Sequence, residues 1–170
     1  MIEIQESKSL GVLQKILLVL ATLTLVITLL FLRVGINNST PLNQLVNNSL
    51  EPNKAFANGK PTIIEFYADW CEACKEMAPI MLKVEESYDN QINIAMLNVD
   101  NPRWNELIET YNVNGIPQLN FFDKNSNPIG HSIGLQKEEQ IIKYFNQLTR
   151  GEKINKITNK TGQTSVLSEY

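Results

Sequence analysis

The longest apolar run of the chain lies close to its N-terminus. Between Lys15 and Arg33 stand the 17 uncharged residues 16–32, of which only three threonines are polar. A membrane-spanning helix needs about 17–25 such residues, whereas a signal peptide has an apolar region of about 7–15 before its cleavage site. A buried helix of a globular domain would show a polar face, which this run lacks. The pattern predicts an uncleaved transmembrane helix over residues 16–33, with a cleaved signal peptide as the alternative.

Further along, short apolar runs alternate with segments of helical periodicity. Thr62–Ala68 is almost continuously apolar, as expected of a parallel strand covered on both faces. The last helix is expected to bury Ile141, Ile142, Phe145 and Leu148. The predicted strands and helices are, in order, Thr62–Ala68, Cys71–Tyr88, Ile92–Val99, a short helix capped by Asp100-Asn101-Pro102, Leu119–Phe122, Pro128–Ile133 and Gln136–Leu148. This order predicts an α/β fold with a central mixed sheet flanked by helices.

These patterns divide the chain into segments of different character. Two short helices are expected to begin at Pro41 and Pro52, because proline suits the first position of a helix. The predicted organisation is a short N-terminal tail (1–15), the transmembrane anchor (16–33), a linker with short helical structure (34–58), the α/β domain (59–150) and a flexible polar tail (151–170).

The charge balance argues against a nucleic-acid partner. The chain has 15 lysines and arginines against 18 acids, and residues 59–150 alone have 8 against 13. A surface that binds phosphates needs clustered lysine and arginine side chains. No nucleic-acid partner is therefore expected.

The two cysteines of the chain, Cys71 and Cys74, stand two residues apart, after the first predicted strand and at the start of the helix that follows. Unpaired N–H groups and a partial positive charge at a helix N-terminus favour a thiolate at Cys71. Two thiols on one helical turn can form and reopen a disulfide. The alternative is half of a zinc site, but the chain adds only His131 as a further cysteine- or histidine-type ligand, so two chains would have to share the metal. The pattern favours a redox-active pair that needs no metal ion and no other cofactor.

Several motifs, in order along residues 60–150, resemble those of the thioredoxin family. They are Phe66-Tyr67-Ala68-Asp69-Trp70-Cys71-x-x-Cys74-Lys75, Pro79, Asn98-Val99-Asp100 and Gly115-Ile116-Pro117. Together with the N-terminal apolar run, the stretch Glu65–Cys74 is similar more narrowly to membrane-anchored thioredoxin-like proteins of cyanobacteria and chloroplast thylakoids. The resemblance implies a thioredoxin-like fold and a protein-disulfide reductase active in cytochrome maturation or photosynthetic-complex assembly.

The same resemblance implies roles for individual residues. Cys71 is expected to be the solvent-facing nucleophile, and Cys74 the thiol that resolves the mixed disulfide. Pro117 matches a cis-proline that faces the cysteines, and Ile116 before it would offer backbone groups to an extended substrate. Trp70 would form an apolar wall beside the sulfur atoms, the alternative being an ordinary surface aromatic residue.

Glu65 stands where thioredoxins usually carry a buried aspartate in the first strand. Burial disfavours a charged carboxylate, so the pKa of Glu65 should be raised, which suits a proton acceptor for Cys74. Met96 stands where a lysine often lies near this carboxylate, and the missing cation should make Glu65 harder to ionise. The alternative is a solvated glutamate at the edge of a sheet.

Glu72 bears on the direction of electron flow. An acid next to Cys71 should raise the energy of its thiolate and so favour a reducing couple, although Glu72 can also be a solvated acid at a helix start. Strong oxidants of this fold often have a histidine between the cysteines, and this chain has none there. The favoured function is a membrane-anchored reductase. The alternatives are a disulfide-forming oxidant and a tethered peptide-binding module.

The charges beside the apolar run suggest an orientation in the membrane. Lys8 and Lys15 precede the run and Arg33 follows it, so the positive-inside rule favours a domain outside the cytoplasm, in a lumen or periplasm. The bias is one residue, and the alternative is the opposite orientation. By the resemblance, the lumen would be that of a thylakoid. A reductase there needs electrons from a transmembrane carrier that is fed by a cytoplasmic thioredoxin. Its targets would be disulfide-bearing proteins, among them, by the resemblance, apocytochromes.

Overall fold

A single long helix, α1 (Val12–Gly35), forms the described part of the first of two units, Met1–Asn38 and Ser39–Tyr170. The structure is a computed structural model that describes residues 11–35, 39–88, 91–154 and 164–166. The stretch Val12–Leu30 has a mean hydropathy of 2.2, so by length and composition the helix can cross a membrane. Residues 1–10 of the predicted N-terminal tail lie outside the described residues.

The three threonine hydroxyl groups of α1 form hydrogen bonds within the helix itself. The hydroxyl groups of Thr22, Thr24 and Thr28 donate hydrogen bonds to the backbone carbonyls of Val19, Ala21 and Thr24 at 2.9, 2.9 and 2.6 Å. A bilayer core offers no water, so a polar side chain that bonds within its own helix is tolerated there.

A four-stranded mixed sheet with the order β2-β1-β4-β5 forms the centre of the second unit. Strand β1 runs parallel to β2 and antiparallel to β4, and β5 pairs antiparallel with β4. All six residues of β1 are buried, as the continuous apolar run predicts for an inner strand. The strands of this sheet are β1 (Thr62–Tyr67), β2 (Asn93–Asn98), β4 (Gln118–Phe122) and β5 (Pro128–Ile133), and the two-residue strand β3 is Gly115–Ile116.

Helices flank this sheet at the positions that the periodicity predicts. Cys71 precedes α4 as its N-cap, and a 3-10 turn leads into α5. The helices are α4 (Glu72–Ser87), α5 (Asn105–Thr110) and α6 (Glu138–Arg150), and the 3-10 turn is Pro102–Trp104. The expected α/β fold, a central mixed sheet flanked by helices, is confirmed.

The buried face of α6 differs from the prediction at one position. Ile142 is 37% exposed, whereas Tyr144 is buried. The buried residues Ile141, Tyr144, Phe145 and Leu148 follow the i, i+3, i+4, i+7 spacing of one helix face. Apolar character alone predicts Ile142 on this face, but its position on the helix turns it away from the core.

Two short helices at the start of the second unit pack on its core. Helices α2 (Pro41–Asn48) and α3 (Pro52–Ala57) begin at the prolines expected from the sequence, and α2 packs against α4. Leu42 and Leu45 of α2 are buried in the core. The N–H of Leu50 donates to the carbonyl of Ile94 at 3.0 Å, which covers part of the outer edge of β2. The sequence did not predict this packing.

Parts of the polar C-terminal segment are also docked on the domain. Ile154 is 3% exposed, and its carbonyl oxygen lies so close to Gly130 that a Cβ added there would sit 2.7 Å from it. Ser165–Val166 forms β6, which pairs antiparallel with β3. At these positions the chain is packed on the domain and is not a loose tail. The sequence gives no sign of this, because single apolar and backbone contacts leave no periodic pattern. Residues 155–163 and 167–170 of the predicted tail lie outside the described residues.

Candidate active site

The site is built around a disulfide between Cys71 and Cys74, whose Cα atoms are 5.3 Å apart. Cys71 is the N-cap of α4, and its sulfur accepts a hydrogen bond from the backbone N–H of Cys74 at 3.1 Å. When the disulfide opens, this N–H and the other free donors of the first helical turn stabilise negative charge on the Cys71 sulfur. Local sequence order is sufficient for this arrangement, since a strand followed directly by a helix brings both cysteines to the helix start.

Cys71 is less accessible than the resemblance implied. In this disulfide form the exposed fraction is 0% for Cys71 and for Cys74. The solvent-facing position expected for Cys71 is therefore wrong for the oxidised state, because its sulfur is bonded to that of the buried Cys74. Among the described residues, no three cysteine, histidine, aspartate or glutamate side chains gather as they would around a metal ion.

The strand register brings Pro117 to the same end of the sheet as the cysteines. Phe66 pairs with Gln118 across β1 and β4, so Pro117 lies opposite the point where β1 ends. From there the chain turns toward Cys71, whose N–H donates to the carbonyl of Ala68 at 3.1 Å. The Ile116–Pro117 peptide bond is cis, as the resemblance implied. Topology therefore places the cis-proline and the disulfide at the same end of the sheet.

Glu65 is buried at the centre of the sheet without a polar partner. It is 0% exposed, and neither carboxylate oxygen has a hydrogen-bond partner among the described residues. Its register neighbours are Met96 on β2 and Leu119 on β4, both apolar. Burial therefore raises the pKa of Glu65 from 4.5 to about 8. The expected pKa rise is confirmed, and the alternative of a glutamate at a sheet edge is excluded because β1 is an inner strand.

A polar network holds the indole of Trp70. Its ring N–H donates to a carboxylate oxygen of Asp100 at 2.9 Å, and the backbone N–H of Asp100 donates to the side chain of Asn98 at 2.9 Å. The amide of Asn98 also donates to Asp69 at 3.4 Å. Trp70 is 49% exposed, so the network fixes the orientation of a partly solvent-facing aromatic ring. The sequence shows these polar residues only as parts of two separate motifs, Asp69 in the first and Asn98 and Asp100 in the second. The hydrogen bonds between the two motifs form only in the folded protein.

Glu72 carries a charge that is largely compensated. Lys75 Nζ lies 2.8 Å from Glu72 Oε1, and the glutamate side chain is 81% exposed. Solvent and the lysine together weaken the repulsion that Glu72 can exert on a thiolate at Cys71. The tuning of the redox couple by Glu72 stays a prediction, and this ion pair argues for a small effect. In the sequence, the i, i+3 spacing of Glu72 and Lys75 already indicates this ion pair.

Comparison with known proteins agrees with a site built on a cysteine pair at the start of a helix. The family model named thioredoxin matches residues 44–147. This protein belongs to the thioredoxin family. The chain is 31% identical over 156 residues to the thiol:disulfide interchange protein TxlA of Synechococcus elongatus, covering 92% of this chain and 81% of that protein. A thioredoxin variant from Halobacterium salinarum has a solved structure with a TM-score of 0.50 and 25% identity, covering 56% of this chain and 80% of that one.

Other relatives come from chloroplasts and cyanobacteria. The chloroplastic thioredoxin-like protein HCF164 of Arabidopsis thaliana is 36% identical over 136 residues, or 80% of this chain. The TxlA homologue of Synechocystis is 42% identical over 113 residues, or 66% of this chain. The chain spans 52% of the length of the first of these proteins and 62% of the second.

Within the thioredoxin family, this member departs at the buried acid. Its glutamate has one more methylene than the usual aspartate, and Met96 replaces a common lysine beside it. A cation at Met96 would favour the charged carboxylate, whereas the thioether leaves only the cost of burial. Burial among apolar neighbours is therefore the physical cause of the raised pKa of Glu65.

Proposed function

We propose that this thioredoxin-family protein is a membrane-anchored thiol–disulfide oxidoreductase that reduces disulfides in other proteins. The observation that carries the proposal is the Cys71–Cys74 disulfide at the start of α4, at the same end of the sheet as cis-Pro117. The similarity to the cyanobacterial thiol:disulfide interchange protein TxlA supports the same class of reaction. The helix Val12–Gly35 supports the membrane attachment.

The reaction begins with both cysteines reduced, Cys71 as a thiolate and Cys74 as a thiol. The Cys71 thiolate attacks one sulfur of a target disulfide, the target S–S bond breaks, and the second target sulfur leaves as a thiolate that takes up a proton. Cys74 then loses its proton and attacks the Cys71 sulfur, which releases the first target sulfur as a thiolate. Two electrons have passed to the target, and the protein is left with the Cys71–Cys74 disulfide. An external dithiol must reduce this disulfide before the next cycle.

Glu65 is proposed as the acceptor of the Cys74 proton. The pKa of Glu65 is raised by burial to about 8, and an ordinary cysteine thiol has a pKa of about 8.5. Two groups of similar pKa exchange a proton at little free-energy cost, which suits general base catalysis. Trp70 and the backbone of Ile116 are proposed to contact the target, the first through its exposed ring and the second by strand pairing.

The proposed site of action is a thylakoid lumen or a periplasm. The chloroplast and cyanobacterial origin of the relatives and the lysines before the apolar run support this assignment. Reducing power there must come through the membrane, so the proposed electron donor is a transmembrane carrier fed by a cytoplasmic thioredoxin. Paired cysteines of apocytochromes, and other disulfides formed during photosynthetic-complex assembly, are the proposed targets.

The reduction potential tests whether the protein is a reductase or an oxidant. We expect a value of about −220 to −290 mV, because no cation lies between the cysteines to overstabilise a thiolate. The full chain in detergent micelles is equilibrated with dithiothreitol or glutathione buffers, and the dithiol fraction is measured by thiol labelling. A value above about −170 mV would show an oxidant instead. Glu72→Gln and Lys75→Gln form a matched pair, and each is expected to shift the potential by less than about 20 mV.

Protease accessibility tests the orientation in the membrane. In intact spheroplasts of a bacterial host, an added protease is expected to cleave the domain, because residues 39–170 are proposed to lie outside the cytoplasm. Inside-out vesicles of the same membrane should protect it. Protection in spheroplasts together with cleavage in inside-out vesicles would place the domain in the cytoplasm. A thylakoid-containing host requires that thylakoids be isolated and treated separately.

A further inference from the structure

The chain pairs one of its own C-terminal segments with a strand next to the active site. Gly115 of β3 is in register with Val166 of β6, and Ile116 with Ser165, in antiparallel orientation. Such pairing uses backbone N–H and C=O groups and requires no particular side chains on the added strand. An extended segment of another protein would use the same backbone groups, so both segments cannot pair with this edge of β3 together.

The edge that β6 occupies lies directly before the cis-proline. Strand β3 ends at Ile116, the residue whose peptide bond to Pro117 is cis. The register of β4 with β1 puts Pro117 at the end of β1, from which the chain turns to Cys71. Strand β6 therefore lies on the backbone that leads into the redox site, and not on a remote part of the sheet.

A second contact keeps the segment close to this edge. Ile154 is buried against the domain, with its carbonyl oxygen next to the Cα of Gly130. Only the ten residues 155–164 separate it from β6, and ten residues span at most about 35 Å. A segment held by so short a connection has an effective local concentration on the order of millimolar. Such a concentration lets even a two-residue pairing compete with a free peptide.

We propose that Ser165–Val166 is an intramolecular occupant of the edge at which target proteins pair, so that the protein partly blocks its own active site. This inference rests on the proposed function. A target must displace β6 before its disulfide can reach Cys71, which favours targets with a long extended segment around their cysteines. Small disulfides need no strand pairing and react without displacing it.

The inference is tested with two variants of the full chain in detergent micelles. Ser165→Pro/Val166→Pro removes both backbone N–H groups of β6, whereas Ser165→Ala/Val166→Ala changes the side chains and keeps the backbone donors. If β6 is paired about nine-tenths of the time, its release raises kcat/KM for insulin reduction about tenfold in the proline variant. The alanine variant should match the parent protein. The reduction of a small aromatic disulfide should be equal in all three.

A binding measurement separates this inference from the proposed reaction. A fluorescent, alkylated insulin B chain contains no reactive thiol, so its affinity for the oxidised protein reports on the edge alone. We expect the proline variant to bind it about tenfold more tightly than the alanine variant. Equal or weaker binding by the proline variant overturns the inference, whatever the enzymatic activity. If the proline variant binds more tightly but none of the three proteins reduces any disulfide, the proposed function fails and the self-blocked edge stands.

Discussion

Replacing Cys71 with serine is expected to abolish the reduction of insulin by the full chain with dithiothreitol as the electron donor. The reaction requires a thiolate at the start of α4, and a serine hydroxyl does not ionise near neutral pH. The rate should fall at least about a hundredfold, to that of dithiothreitol alone. Turbidity of the precipitating insulin B chain measures the rate, and the parent protein in the same detergent is the reference.

Replacing Cys74 with serine is expected to give a different defect. Attack by Cys71 remains intact, but the mixed disulfide has no resolving thiol and accumulates. Non-reducing gel electrophoresis after acid quenching should show covalent adducts for Cys74→Ser and none for Cys71→Ser. Adducts with the opposite variant would mean that the two roles are reversed. The double variant Cys71→Ser/Cys74→Ser is the control for a tethered peptide-binding module, whose function would survive it.

Replacing Glu65 with glutamine is expected to remove a large pH dependence of stability. The pKa of Glu65 is raised by burial from 4.5 to about 8 in the folded protein, so the folded state holds this proton more firmly than the unfolded state. The stability that Glu65 contributes as a neutral acid is fully present below pH 4.5 and is lost as the pH rises to about 8. A shift of this size corresponds to about 5 kcal/mol at most. Glutamine cannot ionise and so shows no such loss.

The measurement is urea unfolding at pH 4.5 and at pH 8.5, followed by the fluorescence of Trp70 and Trp104, which both lie in the unit Ser39–Tyr170. Between these values, the free energy of unfolding of the parent should fall by several kcal/mol relative to Glu65→Gln. Glu106→Gln, at an exposed position on α5, controls for the loss of an acid. Parallel pH profiles for the parent and Glu65→Gln would contradict the burial of an uncompensated carboxyl group at this position.

The amino-acid sequence by itself determined the features that depend on neighbours along the chain. The apolar run of α1, the buried strand β1 and the helix that starts at Cys71 are visible because hydrophobic periodicity and cap residues are local signals. The redox pair follows from the spacing of two cysteines at a helix start, and the raised pKa of Glu65 from a carboxyl group within an apolar strand. The ion pair between Glu72 and Lys75 is likewise indicated by their i, i+3 spacing alone.

Tertiary structure decided everything that depends on which elements become neighbours. The register of β4 with β1 puts Pro117 at the end of the sheet where the disulfide lies, and the parallel pairing of β1 with β2 puts Met96 next to Glu65. The burial of Tyr144 instead of Ile142 depends on how α6 is rotated against the sheet. The pairing of β6 with Gly115–Ile116 involves two residues almost 50 positions further along the chain. Contacts of this kind are selected by the packing of the whole core, and a two-residue strand leaves no periodic pattern in the sequence.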